Sequence, residues 1–193
     1  MMLMVTLMET KTFSMKYPKL VEKFHKAFGH AINKVTDLIP LKTRQQRVNL
    51  MFEELEEFAE ASDVQETFAK RCACSHEQWS KTRKKDGDDV NKVEEADALG
   101  DLTFVVDGTV LACGHHDNFD DIFTDIYNSN MSKMCANMQE VEDTIKYYIE
   151  ERGMDESNIS HKPEDDKFIV FRVEDDKILK NVHYKPVDLK KYI

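Results

Sequence analysis

Leu50-Met51-Phe52-Glu53-Glu54-Leu55-Glu56-Glu57-Phe58-Ala59-Glu60-Ala61 decides how the rest of the chain is read. Val48, Met51, Phe52, Leu55, Phe58 and Ala59 recur at three- and four-residue steps, the period of an amphipathic helix. The helix is expected from about Arg44 past Ala61, with Thr43 as a plausible N-cap. Glu53 and Glu57 are four positions apart and Glu54 and Glu57 three, so each pair shares a face with Cβ atoms about 5–6 Å apart. Like charges at these spacings oppose an isolated helix by about 0.2–0.5 kcal/mol per pair. Glu56 and Glu60 read as solvated.

A second acidic run, Glu94-Glu95-Ala96-Asp97-Ala98-Leu99-Gly100-Asp101, repeats the pattern. Glu94 and Asp97 are three apart, and Asp97 and Asp101 are four. Here the acids lead into an apolar segment carrying Leu102, Val105, Val106, Val110 and Leu111. A helix from about Val90 to Ala112, apolar nearly all round after Asp101, is expected to be the central buried element. Asp is a poor residue for a helix interior, and a buried carboxylate without a partner is costly. Two helices showing carboxylates to each other could hold one or two hard cations, since oxygen donors suit Mg²⁺. The alternative is two solvated acidic faces.

Outward from these runs, the chain reads as mostly helical. Leu20, Val21, Phe24, Ala27, Phe28, Ala31 and Ile32 mark a helix from Tyr17 to about Val35. A polar helical stretch reaches Trp79 and ends in the charged, breaker-rich segment 81–89. Further helices are expected over Phe119–Tyr127 and Met138–Glu151, with Gly153 as the residue that closes the second. Phe168-Ile169-Val170-Phe171-Arg172-Val173 is strand-like, Asp175-Asp176 makes a turn, and Lys177-Ile178-Leu179 returns, which predicts a small hairpin. The expected architecture is an all-α helical bundle over residues 1–153, with a C-terminal hairpin and tail over 154–193 packed on it.

Composition excludes several classes. The chain has 193 residues, 41% of them hydrophobic and 33% charged, with 6 Gly and 4 Pro. It is neither collagen-like nor low in complexity, and it lacks the turn residues of a β-sandwich. A net charge of −10 makes a nucleic-acid polymer or an anionic membrane a poor general partner. An anionic substrate therefore needs the local sign inverted, and a divalent metal does this most simply. Cys72, Cys74, Cys113 and Cys135 lack zinc-site spacing and read as reduced thiols, which points to the cytoplasm. No signal peptide is expected from the short apolar N-terminus, and no apolar run is long enough to span a membrane.

The two acidic runs, in this order and followed by Gly108 and Gly114, resemble the paired Glu-x-x-Glu and Glu-x-x-Asp motifs of the all-α nucleoside triphosphate pyrophosphohydrolases. That superfamily includes the MazG proteins, the dimeric dUTPases and the phosphoribosyl-ATP pyrophosphohydrolases. The resemblance spans about Tyr17 to Gly153. Ser129-Asn130-Met131-Ser132-Lys133 is similar to a Ser-Asn-x-x-Lys segment that follows the second motif in the MazG-like and phosphoribosyl-ATP pyrophosphohydrolase-like members. The segments 176–180 and 184–189 resemble C-terminal extensions on some phosphoribosyl-ATP pyrophosphohydrolase-like proteins, with a lid, a dimer arm or an extra phosphate contact as the roles to weigh.

What the resemblance implies is hydrolysis of a (deoxy)nucleoside triphosphate to the monophosphate and pyrophosphate. Glu53, Glu54, Glu57, Glu94 and Asp97 would hold Mg²⁺, with Mn²⁺ as a possible substitute, and Glu54 would be the catalytic base. Asp101 would orient the metal ligands. Asn130 and Lys133, with Arg47, Lys177 and Lys180, would contact the substrate. The family usually oligomerises, and a homodimer or homotetramer would also cover the apolar surface after Asp101. One departure is the long spacer, residues 58–93, between the two motifs. It holds Trp79, which either fills the core beside Phe68 or stacks on a base, and the basic run Lys81–Lys85, which is either solvated or helps recruit a triphosphate. The rival readings are a phosphoribosyl-ATP pyrophosphohydrolase, a non-catalytic nucleotide-binding relative, and an acidic interaction protein without a ligand.

Overall fold

The computed structural model describes residues 16–30, 32, 33, 37–82 and 86–193. Six α-helices and one two-stranded antiparallel sheet carry the described chain. They fall into two compact units, one within residues 33–105 and the other made of the described residues up to Ile32 together with 106–193.

The unit over 33–105 contains α2 (Leu41–Ala61), α3 (Gln65–Thr82) and most of α4 (Lys92–Ala112). The first of these begins three residues earlier than the sequence predicts. Pro40, not Thr43, precedes it, and no side chain caps it. Its C-terminus is closed by Asp63 in the left-handed region (φ 56°), with the Val64 amide donating to the Ala59 carbonyl at 3.0 Å. This geometry satisfies carbonyls that a helix end leaves open. It turns the chain so that α3 packs on α2, with the rings of Phe52 and Phe68 5.3 Å apart. The segment before α4 is tied to the start of α2. Arg44 Nη2 lies 2.5 Å from Asp88, and Gln45 Nε2 donates to Asp86 at 2.7 Å.

Two expectations for this unit are corrected. None of the residues of α4 is buried. Leu99, Leu102 and Val105 are more than half exposed and Phe104 is 80% exposed. Within this unit α2 packs closely on α3 but α4 packs closely on neither. An apolar helix is buried only where another element packs closely on it, and most of α4 stays exposed. Trp79 is likewise 66% exposed, so it does not fill a core beside Phe68.

In the other unit α1 (Lys16–Ala27) packs on α5 (Phe119–Met131). Tyr17 meets Phe123 at 4.5 Å between ring centroids, and its hydroxyl donates to Asp120. The first helix is shorter than its apolar pattern predicts, because Gly29 adopts φ 63° and ends it. The remainder of that expectation falls partly on residues 31 and 34–36, outside the described residues. Lys162 donates to the Phe28 carbonyl at 3.4 Å, placing a cation at the negative end of the helix.

Helix α6 (Met138–Glu150) is capped by Asn137, whose side chain accepts from the Glu140 amide at 3.0 Å. The hairpin pairs β1 (Ile159–Glu164) with β2 (Lys167–Arg172). The predicted strand Phe168–Val173 is therefore present, but its partner is the preceding segment. The expected return strand survives as a single bridge, Phe171 to Ile178. His161, Lys162 and Pro163 hide β1 from a hydrophobicity reading. Pro163 is tolerated because Phe168 opposite it exchanges both of its backbone hydrogen bonds with Cys135, on the other edge of β2. A strand position that owes no N–H bond accepts proline.

Two apolar clusters form the core of this unit. Cys135, Val141, Val170 and Leu179 make one, and Phe28, Met134 and Ile169 the other. Both draw on β2, whose Ile169 and Val170 are fully buried. The core thus lies between the hairpin, the C-terminal ends of α1 and α5, and one face of α6. It holds still the turn that leaves α5.

Candidate active site

The predicted site residues fall into two groups, one in each unit. Glu53, Glu54 and Glu57 lie mid-way along α2, and Glu94, Asp97 and Asp101 lie in the first half of α4; all six are exposed. Their donor chemistry suits a hard divalent cation, because every atom offered is a carboxylate oxygen. Glu95, between two of them, is instead held by Lys92 at 2.9 Å. Arg47 is exposed on α2, about two turns before Glu53 and Glu54. Among the described residues the single chain gathers no three His, Cys, Asp or Glu side chains into a group that could hold a metal ion. The carboxylates are thus paired along each helix face but not closed around a centre.

The second group lies at the C-terminal end of α5. The sequence reading stops this helix at Tyr127, yet it runs on to Met131, so Ser129 and Asn130 are in its last turn. Asn130 and Lys133 are half-buried, and the Lys133 amide donates to the Asn130 carbonyl at 3.2 Å. Lys177 sits exposed in the turn after β2, its amide donating to Asp175. Lys180 is exposed, with its ammonium 4.7 Å from the Tyr184 ring centroid.

The C-terminal segment is the part that sequence reasoning left as an irregular tail. It is bonded along its length. Leu179 enters the core. The Lys180 amide donates to the Tyr148 hydroxyl at 2.9 Å. Asn181 is buried and donates to the Met134 carbonyl at 2.9 Å and to Glu140 at 2.8 Å. The Val182 amide donates to Thr144 at 3.2 Å. Ser129 is 2.9 Å from the Tyr184 hydroxyl and donates to the Lys185 carbonyl at 2.8 Å. The Lys185 amide donates to Ser132 at 2.9 Å. Tyr192 donates to Asp125 at 2.7 Å, and Lys191 pairs with the same carboxylate at 2.6 Å. Asp125, Ser129 and Ser132 are four and three apart, so the tail follows one stripe of the helix surface.

The electrostatics follow these bonds. Lys191 and then Tyr192 hold the Asp125 carboxyl below its ordinary range. The Ala136 amide, and then Asn181, do the same for Glu140. Burial raises the Cys135 thiol, which makes it a packing residue and not a reactive one.

Comparisons with known proteins agree with the fold. A model of the family described as phosphoribosyl-ATP pyrophosphohydrolase matches residues 21–130, more than half of the chain. A crystal structure of a candidate NTP pyrophosphohydrolase from Exiguobacterium sp. 255-15 superimposes with a TM-score of 0.58. It is 20% identical, and the match covers 89% of this chain and 88% of that one. An uncharacterized protein of Acanthamoeba polyphaga mimivirus is 30% identical over 70 residues, which is 35% of this chain and 28% of that protein. The chain therefore spans little more than a quarter of that relative. No helix among the described residues is long and apolar enough to cross a membrane. Two ordered acidic helices, the helical fold that carries them and a family match over most of both lead to one assignment: the chain belongs to the phosphoribosyl-ATP pyrophosphohydrolase family, within the all-α NTP pyrophosphohydrolase superfamily.

Proposed function

We propose that this protein hydrolyses a (deoxy)nucleoside triphosphate to the monophosphate and pyrophosphate with Mg²⁺, in the cytoplasm. The observation that carries the reading is the full set of carboxylates, Glu53, Glu54 and Glu57 on α2 and Glu94 and Asp97 on α4, within the matched family region. These five would hold the cation, or Mn²⁺ in its place, with Asp101 orienting them from behind. When bound, the metal supplies charge neutralisation at the phosphates and an acidified water. Glu54, exposed on α2 and sharing a face with Glu57, accepts the proton of the attacking water. Asn130 and Lys133 hold the sugar and phosphates by hydrogen bonding and charge, with Arg47, Lys177 and Lys180 as further cations.

A second copy of the chain completes the arrangement. Val93, Leu99, Leu102, Phe104 and Leu111 on α4, and Val48, Met51 and Leu55 on α2, are exposed. Withdrawing apolar surface from water contributes about 25 cal/mol per Å². A homodimer or homotetramer that buries these faces would also draw carboxylates together that one chain leaves apart. The second substrate reading is phosphoribosyl-ATP, favoured by the family match itself. The deciding experiment presents the protein with each NTP, each dNTP and phosphoribosyl-ATP, with Mg²⁺, and measures released pyrophosphate. Release from at least one nucleoside triphosphate is expected. Release from phosphoribosyl-ATP alone selects the second reading, and release from none removes both.

A further inference from the structure

We propose that Tyr184 is a positioning residue for polyphosphate binding, acting through Ser129 on the turn that presents Asn130 and Lys133. The idea rests on the functional reading above, but its evidence is separate from it.

That turn is held from two sides. On one side, Ser129 and Ser132 are both bonded to the Tyr184–Lys185 step. On the other, the Asn181 side chain donates to the Met134 carbonyl and to Glu140, fixing the chain immediately after Lys133. The turn also closes on itself, with Ser132 Oγ donating to the Ser129 carbonyl at 2.7 Å. Residues 129–134 are thus clamped at both ends by a segment that follows β2, and this segment lies outside the matched family region.

The Ser129 hydroxyl has one proton and two partners. A carbonyl can only accept, so the proton goes to Lys185, and the Tyr184 phenol supplies the proton of the second bond. Ser129 is 7% exposed. A hydroxyl this buried, left with one bond fewer, lets the last turn of α5 relax. The same tail is basic. Residues 177–193 contain five lysines and a single acidic residue in a chain of net charge −10. The clamp therefore brings positive charge to the helix end that carries Lys133, and Tyr184 itself seats the Lys180 ammonium on its ring. Preorganisation of this kind is spent on binding, because a turn already ordered loses less entropy when a phosphate arrives.

The test uses Tyr184→Phe, Ser129→Ala and Ser129→Thr in the full chain. Tyr184→Phe removes only the hydroxyl and keeps the ring under Lys180. Affinity for inorganic tripolyphosphate is measured by calorimetry, and KM and kcat are taken on whichever nucleotide is hydrolysed. The expected result is about a 5–10-fold weaker tripolyphosphate affinity and a matching rise in KM, with kcat within about twofold, for Tyr184→Phe and Ser129→Ala alike. The double variant should be no worse than Ser129→Ala, because that substitution already removes the bond that Tyr184→Phe breaks. Ser129→Thr, which keeps a hydroxyl, should restore binding. Unchanged affinity in a folded Tyr184→Phe overturns the proposal, as does wild-type protein that binds no tripolyphosphate. If the wild type binds tripolyphosphate, Tyr184→Phe weakens that binding and no nucleotide is cleaved, the positioning role stands while the enzymatic reading falls.

Discussion

Ser129 on α5 lies 2.9 Å from the hydroxyl of Tyr184, a residue 55 positions further along the chain. The contact joins the last turn of the helix that follows the acidic motifs to a tail that is chemically unlike the rest of the protein. Lys180, Asn181, Tyr184, Lys185, Lys191 and Tyr192 make that tail a bonded strap along α5 and α6, although its sequence has no regular period.

The strap should be acid-labile. Asp125 and Glu140 both have carboxyl pKa values lowered in the folded state. A group lowered in this way stabilises the fold above its unfolded value of about 4 and loses that contribution as pH falls through the native value. Amide protection factors of residues 180–193, taken against the intrinsic rate at each pH, should therefore fall between about pH 5 and pH 3 ahead of those around Val141 and Ile169. Equal protection of tail and core at pH 3 would count against the clamp.

At the alkaline end the sign reverses. The Tyr17 phenol is pushed up to about 12, first by burial and then by its hydrogen bond to Asp120. A raised value means the neutral form is favoured in the fold. The contribution is complete below the unfolded value near 10 and is lost as pH rises through about 12. Urea midpoints should decline over that window in the wild type and decline less in Tyr17→Phe. At neutral pH the same substitution should cost less than about 1 kcal/mol, since Asp120 is exposed.

Core and surface should separate cleanly. Ile169 is fully buried in the cluster with Phe28 and Met134, so Ile169→Ala should cost about 2–5 kcal/mol in chemical denaturation. Trp79 is 66% exposed, and Trp79→Ala should stay within about 0.5 kcal/mol. A large loss at Trp79 would mean that it is covered by another copy.

Association is tested directly by light scattering. Phe104 is 80% exposed in the single chain, so Phe104→Asp should leave the isolated fold intact while lowering the measured mass toward 22.5 kDa. A charge in a buried apolar interface has no partner and is strongly unfavourable. A wild-type mass already at that of one chain would remove the homo-oligomer.

The carboxylates have the sharpest test. Glu54→Gln keeps the shape of the side chain and removes its basicity, so turnover should vanish while nucleotide binding stays measurable. EDTA should stop the wild-type reaction and excess Mg²⁺ restore it. Normal turnover by Glu54→Gln would dismiss it as the base.

Periodicity carried much of this protein's fold. The three- and four-residue recurrence of Val48, Met51, Phe52, Leu55 and Phe58 is a local property, and α2 forms where it predicts. The two acidic runs announced the family for the same reason, since three- and four-residue spacing on a helix is geometry that needs no partner. Burial was not legible in this way. Leu102 and Phe104 are as apolar as Val141 and Ile169, yet the first pair is exposed and the second pair forms or lines the core.

Whether a helical segment exists, and which residues share its face, was set by neighbours in the chain. What covers that face was set at a distance. Asn181, Tyr184 and Lys185 have no pattern among themselves, and each acquires its role from a group on α5, the turn after it or α6. The strand Ile159–Glu164 was hidden for the same reason, because it is set by its register against β2 and not by any apolar pattern in His161, Lys162 and Pro163. Hydrogen bonds between residues far apart in the chain leave no spacing to read, and in this protein those bonds hold the turn that carries Asn130 and Lys133.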